Sequence, residues 1–181
     1  MSTPSQRFPA LSRVLHWLMA VLILAMLFIG VGMAASASDR YITLVAIHKP
    51  LGIAILILVA IRLVNRLFNR PPPLPADMPA IQRFAAHASH IVLYALMFLL
   101  PIVGWSMLSA AGYPIVLFGP LQLPPILPQN AIVYATLRQL HTLLAYLLFA
   151  TFLLHLAAAL FHGLIRRDGV LESMASWRSG R

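Results

Sequence analysis

The chain has 181 residues, 61% hydrophobic and 9% charged, with a formal net charge of +9 and a mean hydropathy of +0.88. A soluble domain carries about a quarter charged residues, so this composition cannot cover a globule with water-compatible surface, and lipid must be its solvent. Cysteine is absent, which excludes disulfides, thiolate metal sites and iron–sulfur clusters.

A transmembrane helix needs about 20 predominantly apolar residues, and four stretches qualify: about 11–35, 42–67, 86–110 and 134–165. The first follows Arg7 and Arg13 and ends near Ala35-Ser-Ala37, which has the look of a signal peptide with a small-residue cleavage site. Its apolar run of about 20 residues exceeds the usual 7–15 of a signal sequence, and it carries His16-Trp17 at its inner edge, so it is read as a retained span. The second runs apolar from Leu51 to Ile61 and then meets Arg62 and Arg66, which are expected to snorkel to the headgroups. Pro71-Pro-Pro-Leu-Pro75 follows as a stiff, polyproline-like link. After the third span, Gly112–Asn130 holds Pro114, Pro120, Pro124, Pro125 and Pro128 and cannot form a regular helix. It is nevertheless apolar (Ile115 to Phe118, Ile126, Leu127) and is expected to fold as a lid over the outer end. The fourth span completes an all-α, four-helix transmembrane bundle in a single domain, 1–181, with no internal repeat.

Basic residues sort by side. Arg7, Arg13, Arg62, Arg66, Arg70, Arg83, Arg166, Arg167, Arg178 and Arg181 fall at one end of the bundle, and only Arg40, Lys49 and Arg138 at the other. Under the positive-inside rule, both the N- and C-termini are cytoplasmic. The net charge is thus mostly a topology signal, and nucleic acid is set aside as a partner.

Ionisable residues inside spans are rare and functional candidates by default, and seven histidines occur here. His141 and His155 are fourteen residues apart in the fourth span. That is nearly four helical turns and roughly 21 Å of rise, so both face one side at two depths. Such a helix can hang two haems, one above the other, and without cysteine they are held noncovalently. The second span descends past His48 near its outer end, and the first rises past His16 near its inner end. Depth therefore pairs His48 with His141 outside and His16 with His155 inside. On a straight-helix count His155 lies deeper than His16, a difference that tilt must absorb. Two imidazoles on one iron leave no open position, which favours electron transfer over oxygen binding. His87 and His90, three residues apart near the inner end, cannot serve two depths. Either is an alternative to His16, against an interfacial role with the ring bonded to backbone carbonyls or headgroups. His162, a heptad beyond His155, is an interface residue or a proton-handling group. Gly30 and Gly104 each follow a histidine (His16 and His90) by fourteen residues, and Gly52 lies one turn after His48. A flat macrocycle between helices needs such close backbone approach, although small residues also serve plain helix packing.

Several segments carry a resemblance: Arg13-Val-Leu-His-Trp-Leu18, His48-Lys-Pro-Leu-Gly52 with Arg62 following, Leu99-Leu-Pro-Ile-Val-Gly-Trp105, Leu140-His141, and His155 followed by His162-Gly-Leu-Ile-Arg-Arg-Asp-Gly-Val-Leu171. On these the chain resembles the bacterial cytochrome b561 family of four-helix, di-haem membrane cytochromes, along nearly its whole length. The resemblance implies haem b at two sites with His16, His48, His141 and His155 as axial ligands, and a place in the bacterial inner membrane. It also implies electron exchange with the ubiquinone pool, in one branch with superoxide as the periplasmic donor. Members often have Ser where Pro50 stands and a second His where Gly163 stands. A quinone contact is expected at the inner face near His162 and Arg166. Arg40, Lys49 and Arg138 outnumber Asp39 outside, an excess that would steer an anion toward the outer haem, or else three solvated charges. Two other readings stand beside this one. One is a haem-bearing anchor that passes electrons to or from a dehydrogenase or hydrogenase partner. The other is a histidine-lined metal-ion transporter, which would want acidic or sulfur ligands along its path, whereas all four acids lie outside the spans.

Overall fold

A computed structural model describes residues 7–175. Arg178 and Arg181, part of the charge asymmetry above, lie outside the described residues. Four long helices dominate: α1 Ala10–Ala34, α2 Asp39–Phe68, α3 Ala80–Ala111 and α4 Ala131–Leu160. A π-helical turn over Phe161–Arg166 continues α4, and a short α5, Val170–Ala175, follows. All four long helices, the last counted through Arg166, are long and apolar enough to cross a membrane.

Local chemistry sets the boundaries. Pro9 and Pro79 precede α1 and α3 with φ and ψ near polyproline values. α3 therefore begins six residues before the apolar run, and its first turns carry Gln82, Arg83 and His87 into the headgroup level. Asn130 caps α4, its side chain accepting from the backbone N–H of Ile132 and Val133 at 3.0 Å each. Gly112 ends α3 at φ 74°, with Tyr113 N–H donating to the Leu108 carbonyl and Gly112 N–H to that of Ser109. This Schellman arrangement needs a left-handed residue.

The segment expected to be an irregular lid contains a small antiparallel hairpin, β1 Ile115–Phe118 and β2 Leu121–Leu123. The fold is thus mostly helical rather than wholly so. β-branched Ile115 and Val116 suit a strand, and Gly119, at φ 51°, opens a two-residue turn that Pro120 completes. Ile115 is buried. Hydrogen bonds tie the segment to the outer end of the bundle, among them Asn130 N–H to the Ala110 carbonyl (2.9 Å). Lys49 Nζ donates to the Pro114 carbonyl (3.4 Å), Trp105 Nε1 to the Pro124 carbonyl (2.9 Å), and Ile126 N–H to Ser109 Oγ (3.1 Å).

α1 packs on α2, α2 on α3 and α3 on α4. The buried centre holds Met19, Ile23, Ile55, Val59, Leu96, Met97, Leu100 and Leu148, drawn from all four helices. Outward faces are apolar and exposed, with Phe28 and Leu154 each 70% accessible, as lipid-facing surface must be. Helix association in lipid lacks a hydrophobic drive and depends on packing and interhelical hydrogen bonds. One such bond joins Asn65 Nδ2 to Ser12 Oγ (2.7 Å), buried between α2 and α1.

Candidate functional site

The histidines gather in two tiers on either side of that apolar centre. At the outer tier, His48 of α2 faces His141 of α4, their ring centres 6.2 Å apart and the rings inclined at 68°. At the inner tier, His16 of α1 faces His155 of α4, again at 6.2 Å, with an inclination of 73°. α4 carries one member of each pair, roughly 21 Å apart by helical rise. The offset of His16 and His155 on a straight-helix count does not keep the rings apart.

Each tier has its own packing. At the outer one, a Cβ added to Gly104 of α3 would meet His141 Cε1 at 3.3 Å; the glycine lets the imidazole lie against the α3 backbone. Nδ1 of His48 is buried without a hydrogen-bond partner among the described residues, whereas the His141 ring lies beside the Leu100 carbonyl of α3. A buried polar atom left so costs about 1–3 kcal/mol, so His48 Nδ1 is open to a partner other than protein. Gly30 does not repeat the Gly104 role, since a Cβ there meets nothing within 4 Å, and one at Gly52 makes only ordinary contact with Met26.

The inner tier is more crowded than the depth argument suggests. His90 of α3 stands 5.4 Å from His155, ring centre to ring centre. Arg62 also turns toward this tier: its Nε donates to the Tyr94 hydroxyl at 3.1 Å. This hydrogen bond joins α2 to α3. Spacing within one helix cannot reveal either contact, since each depends on how α2 and α3 are rotated about their axes. The i, i+4 pair Arg62 and Arg66 opposite a tyrosine was the only available sign.

Other candidates are dispersed. His87 Nδ1 donates to the Arg83 carbonyl (2.7 Å), the interfacial role anticipated for it. His162 donates to Asp168 (2.6 Å), and Arg166 holds Asp77 (2.7 Å), Asp168 (3.3 Å) and Gln82 (3.0 Å). The pair expected to meet a quinone is therefore already engaged with protein partners. Beside them at the inner end, a groove of about 640 Å³ is lined by the proline link and by Arg66, Arg83, His87 and His90. Outside, Lys49 flanks His48 and is half-buried, while Arg40 and Arg138 are exposed.

A sequence profile of the prokaryotic cytochrome b561 family matches residues 7–177. The chain belongs to this family. The chain is 32% identical to cytochrome b561 homolog 2 of Escherichia coli K12 over 176 residues, covering 96% of this chain and 93% of the relative. It is 31% identical to the probable superoxide oxidase CybB of Yersinia pestis over 97% and 99% of the two chains. Cytochrome b561 homolog 1 of Escherichia coli K12 follows at 27%, over 93% and 96%. The protein is accordingly a multi-pass membrane electron-transfer protein of a family that typically binds b-type haem.

The residues fit that group. Two imidazoles on one metal, with bonds of about 2.0–2.1 Å and about 1.2 Å from nitrogen to ring centre, stand about 6.4 Å apart. Both tiers match this spacing, whereas His90 and His155 are about 1 Å too close. Each pair would supply two imidazole ligands to a haem iron. Among the described residues no three His, Cys, Asp or Glu side chains are grouped to hold a bare metal ion.

Proposed function

We propose that this cytochrome b561-family chain holds two b-type haems, one between His48 and His141 and one between His16 and His155, and moves electrons across the membrane to ubiquinone. The observation that carries the reading is the repetition of a 6.2 Å imidazole pair at two levels of one helix. When bound, haem supplies one-electron redox chemistry. His48 with His141 and His16 with His155 would hold the iron, and two imidazoles on one iron would favour electron transfer over oxygen binding. Met19, Val59 and Leu96, almost wholly buried, exclude water between the tiers and keep the local dielectric low.

The arginine-rich end faces the cytoplasm of a bacterial inner membrane by the positive-inside rule. For the quinone, the groove lined by Arg66, Arg83, His87 and His90 is a better inner-face contact than His162 and Arg166, whose Nδ1 and guanidinium already have protein partners. Arginine and histidine side chains offer N–H donors to the quinone carbonyls.

Superoxide is the proposed donor at the outer face. Support comes from the description of the Yersinia relative and from Lys49 beside His48, with Arg40 and Arg138 farther out. These charges raise the local concentration of an anion in a salt-dependent way. Purified protein is expected to show a haem b reduced-minus-oxidised spectrum and to reduce ubiquinone when superoxide is generated, more slowly as salt is raised. Haem b that superoxide cannot reduce would remove the superoxide part and favour a protein donor. A spectrum without haem b would remove the whole reading.

A further inference from the structure

Only four acidic residues accompany thirteen basic ones, and none sits at the inner tier. Asp77 and Asp168 engage Arg166 and His162, Asp39 opens α2 at the outer end, and Glu172 lies in α5. Arg62, by contrast, stands in a span and reaches α3 at Tyr94, one helical turn from His90 of the inner tier. Among the described residues no carboxylate lies within ion-pair distance of it. A guanidinium cannot shed its proton and offers five N–H donors, of which the Tyr94 hydroxyl takes one. Arg66, one turn farther out, stacks 5.9 Å from the Tyr94 ring centre and lines the groove. The tyrosine thus separates a cation at the mouth from a cation inside. Charges inside membrane spans are costly and persist where they have a partner. Protohaem brings two propionate carboxylates, which are anionic at neutral pH.

We propose that Arg62, aimed by Tyr94, is the anchor for a propionate of the inner haem. This rests on the di-haem reading. Arg62 is a binding residue, and Tyr94 positions it. An arginine–carboxylate contact is charge-assisted and directional. By neutralising a carboxylate near the iron, Arg62 makes the added electron less costly, so it raises the potential of the inner haem.

The test is an optical redox titration of the purified full-length protein, combined with redox difference infrared spectra using haem labelled with carbon-13 at its carboxylates. In R62Q, one of two haem b components is expected to become harder to reduce by on the order of tenfold, about 59 mV for one electron, with the other unmoved. R62K, which keeps the charge, is expected to shift less, yet to move the label-sensitive carboxylate bands because an ammonium replaces the guanidinium. R70Q removes one charge from the exposed link and is expected to change neither signal. If R62Q loses one haem while the other stays intact, that loss also supports the anchor, and the infrared bands of R62K give the spectroscopic reading. Two haems with unchanged potentials and unchanged carboxylate bands in both Arg62 variants would overturn the proposal. Fewer than two haems per wild-type chain would instead overturn the reading beneath it.

Discussion

His141 shows how one residue's surroundings determine what it can do. Its ring presses on the α3 backbone at Gly104 and faces His48 across 6.2 Å, so its position depends on two other helices. A methyl at Gly104 would require a shift of a few tenths of an ångström; a branched side chain would push the ring away. G104V is therefore expected to lose the outer haem signal while the inner one remains, read as half the haem b absorbance of wild type. Full haem content in G104V would show that the close approach is incidental. Lys49 acts at the same scale but through charge. K49Q is expected to slow superoxide-driven reduction severalfold at low salt, with the difference shrinking as salt screens the field. An equal deficit at all salt concentrations would argue against steering.

Among the elements, the loop between α3 and α4 departs most from a hydropathy reading. Ser109 Oγ donates to the Trp105 carbonyl and accepts from Ile126 N–H, and Gly112 turns the chain with Gln129 packed against it. An alanine at 112 would hold a left-handed conformation at a cost of about 1–2 kcal/mol and would also crowd Gln129. G112A is thus expected to lower the thermal unfolding midpoint in detergent with little change in haem spectrum; an unchanged midpoint would contradict the strained-cap account. The four spans were legible because lipid demands long apolar runs and arginines collect at one side. The pairing of His16 with His155 and His48 with His141 was legible because depth along an antiparallel bundle follows from residue count. The hairpin was not: five prolines exclude a helix, but strand pairing in so short a segment depends on Gly119 and on the bundle end beneath it. Nor was the position of His90 or Arg62, because residue spacing gives neither helix tilt nor rotation. The contacts of His162 with Asp168 and of Arg166 with Asp77 and Asp168 were not legible either, because they depend on how the chain turns after α4 and on where the proline link returns.

For the whole molecule, sidedness and cofactor number matter most. The protein contains no cysteine, so single cysteines report topology without background. Gln122→Cys in the hairpin is expected to react with an impermeant maleimide from the periplasm, and Arg70→Cys only after the membrane is opened. The reverse pattern would invert the topology and move the anion-steering charges to the wrong side. Between those faces, the proposed function gives each of the two tiers a redox centre. Pairwise removal of ligands tests that claim most directly, by counting haem b per chain in H16A/H155A, H48A/H141A and H16A/H141A. The first two are expected to keep one haem each, with different spectra, because each removes both ligands of one tier. The third breaks both tiers and is expected to keep none. One haem retained in the third variant, or complete loss in the first two, would contradict the pairing and the two-centre account built on it.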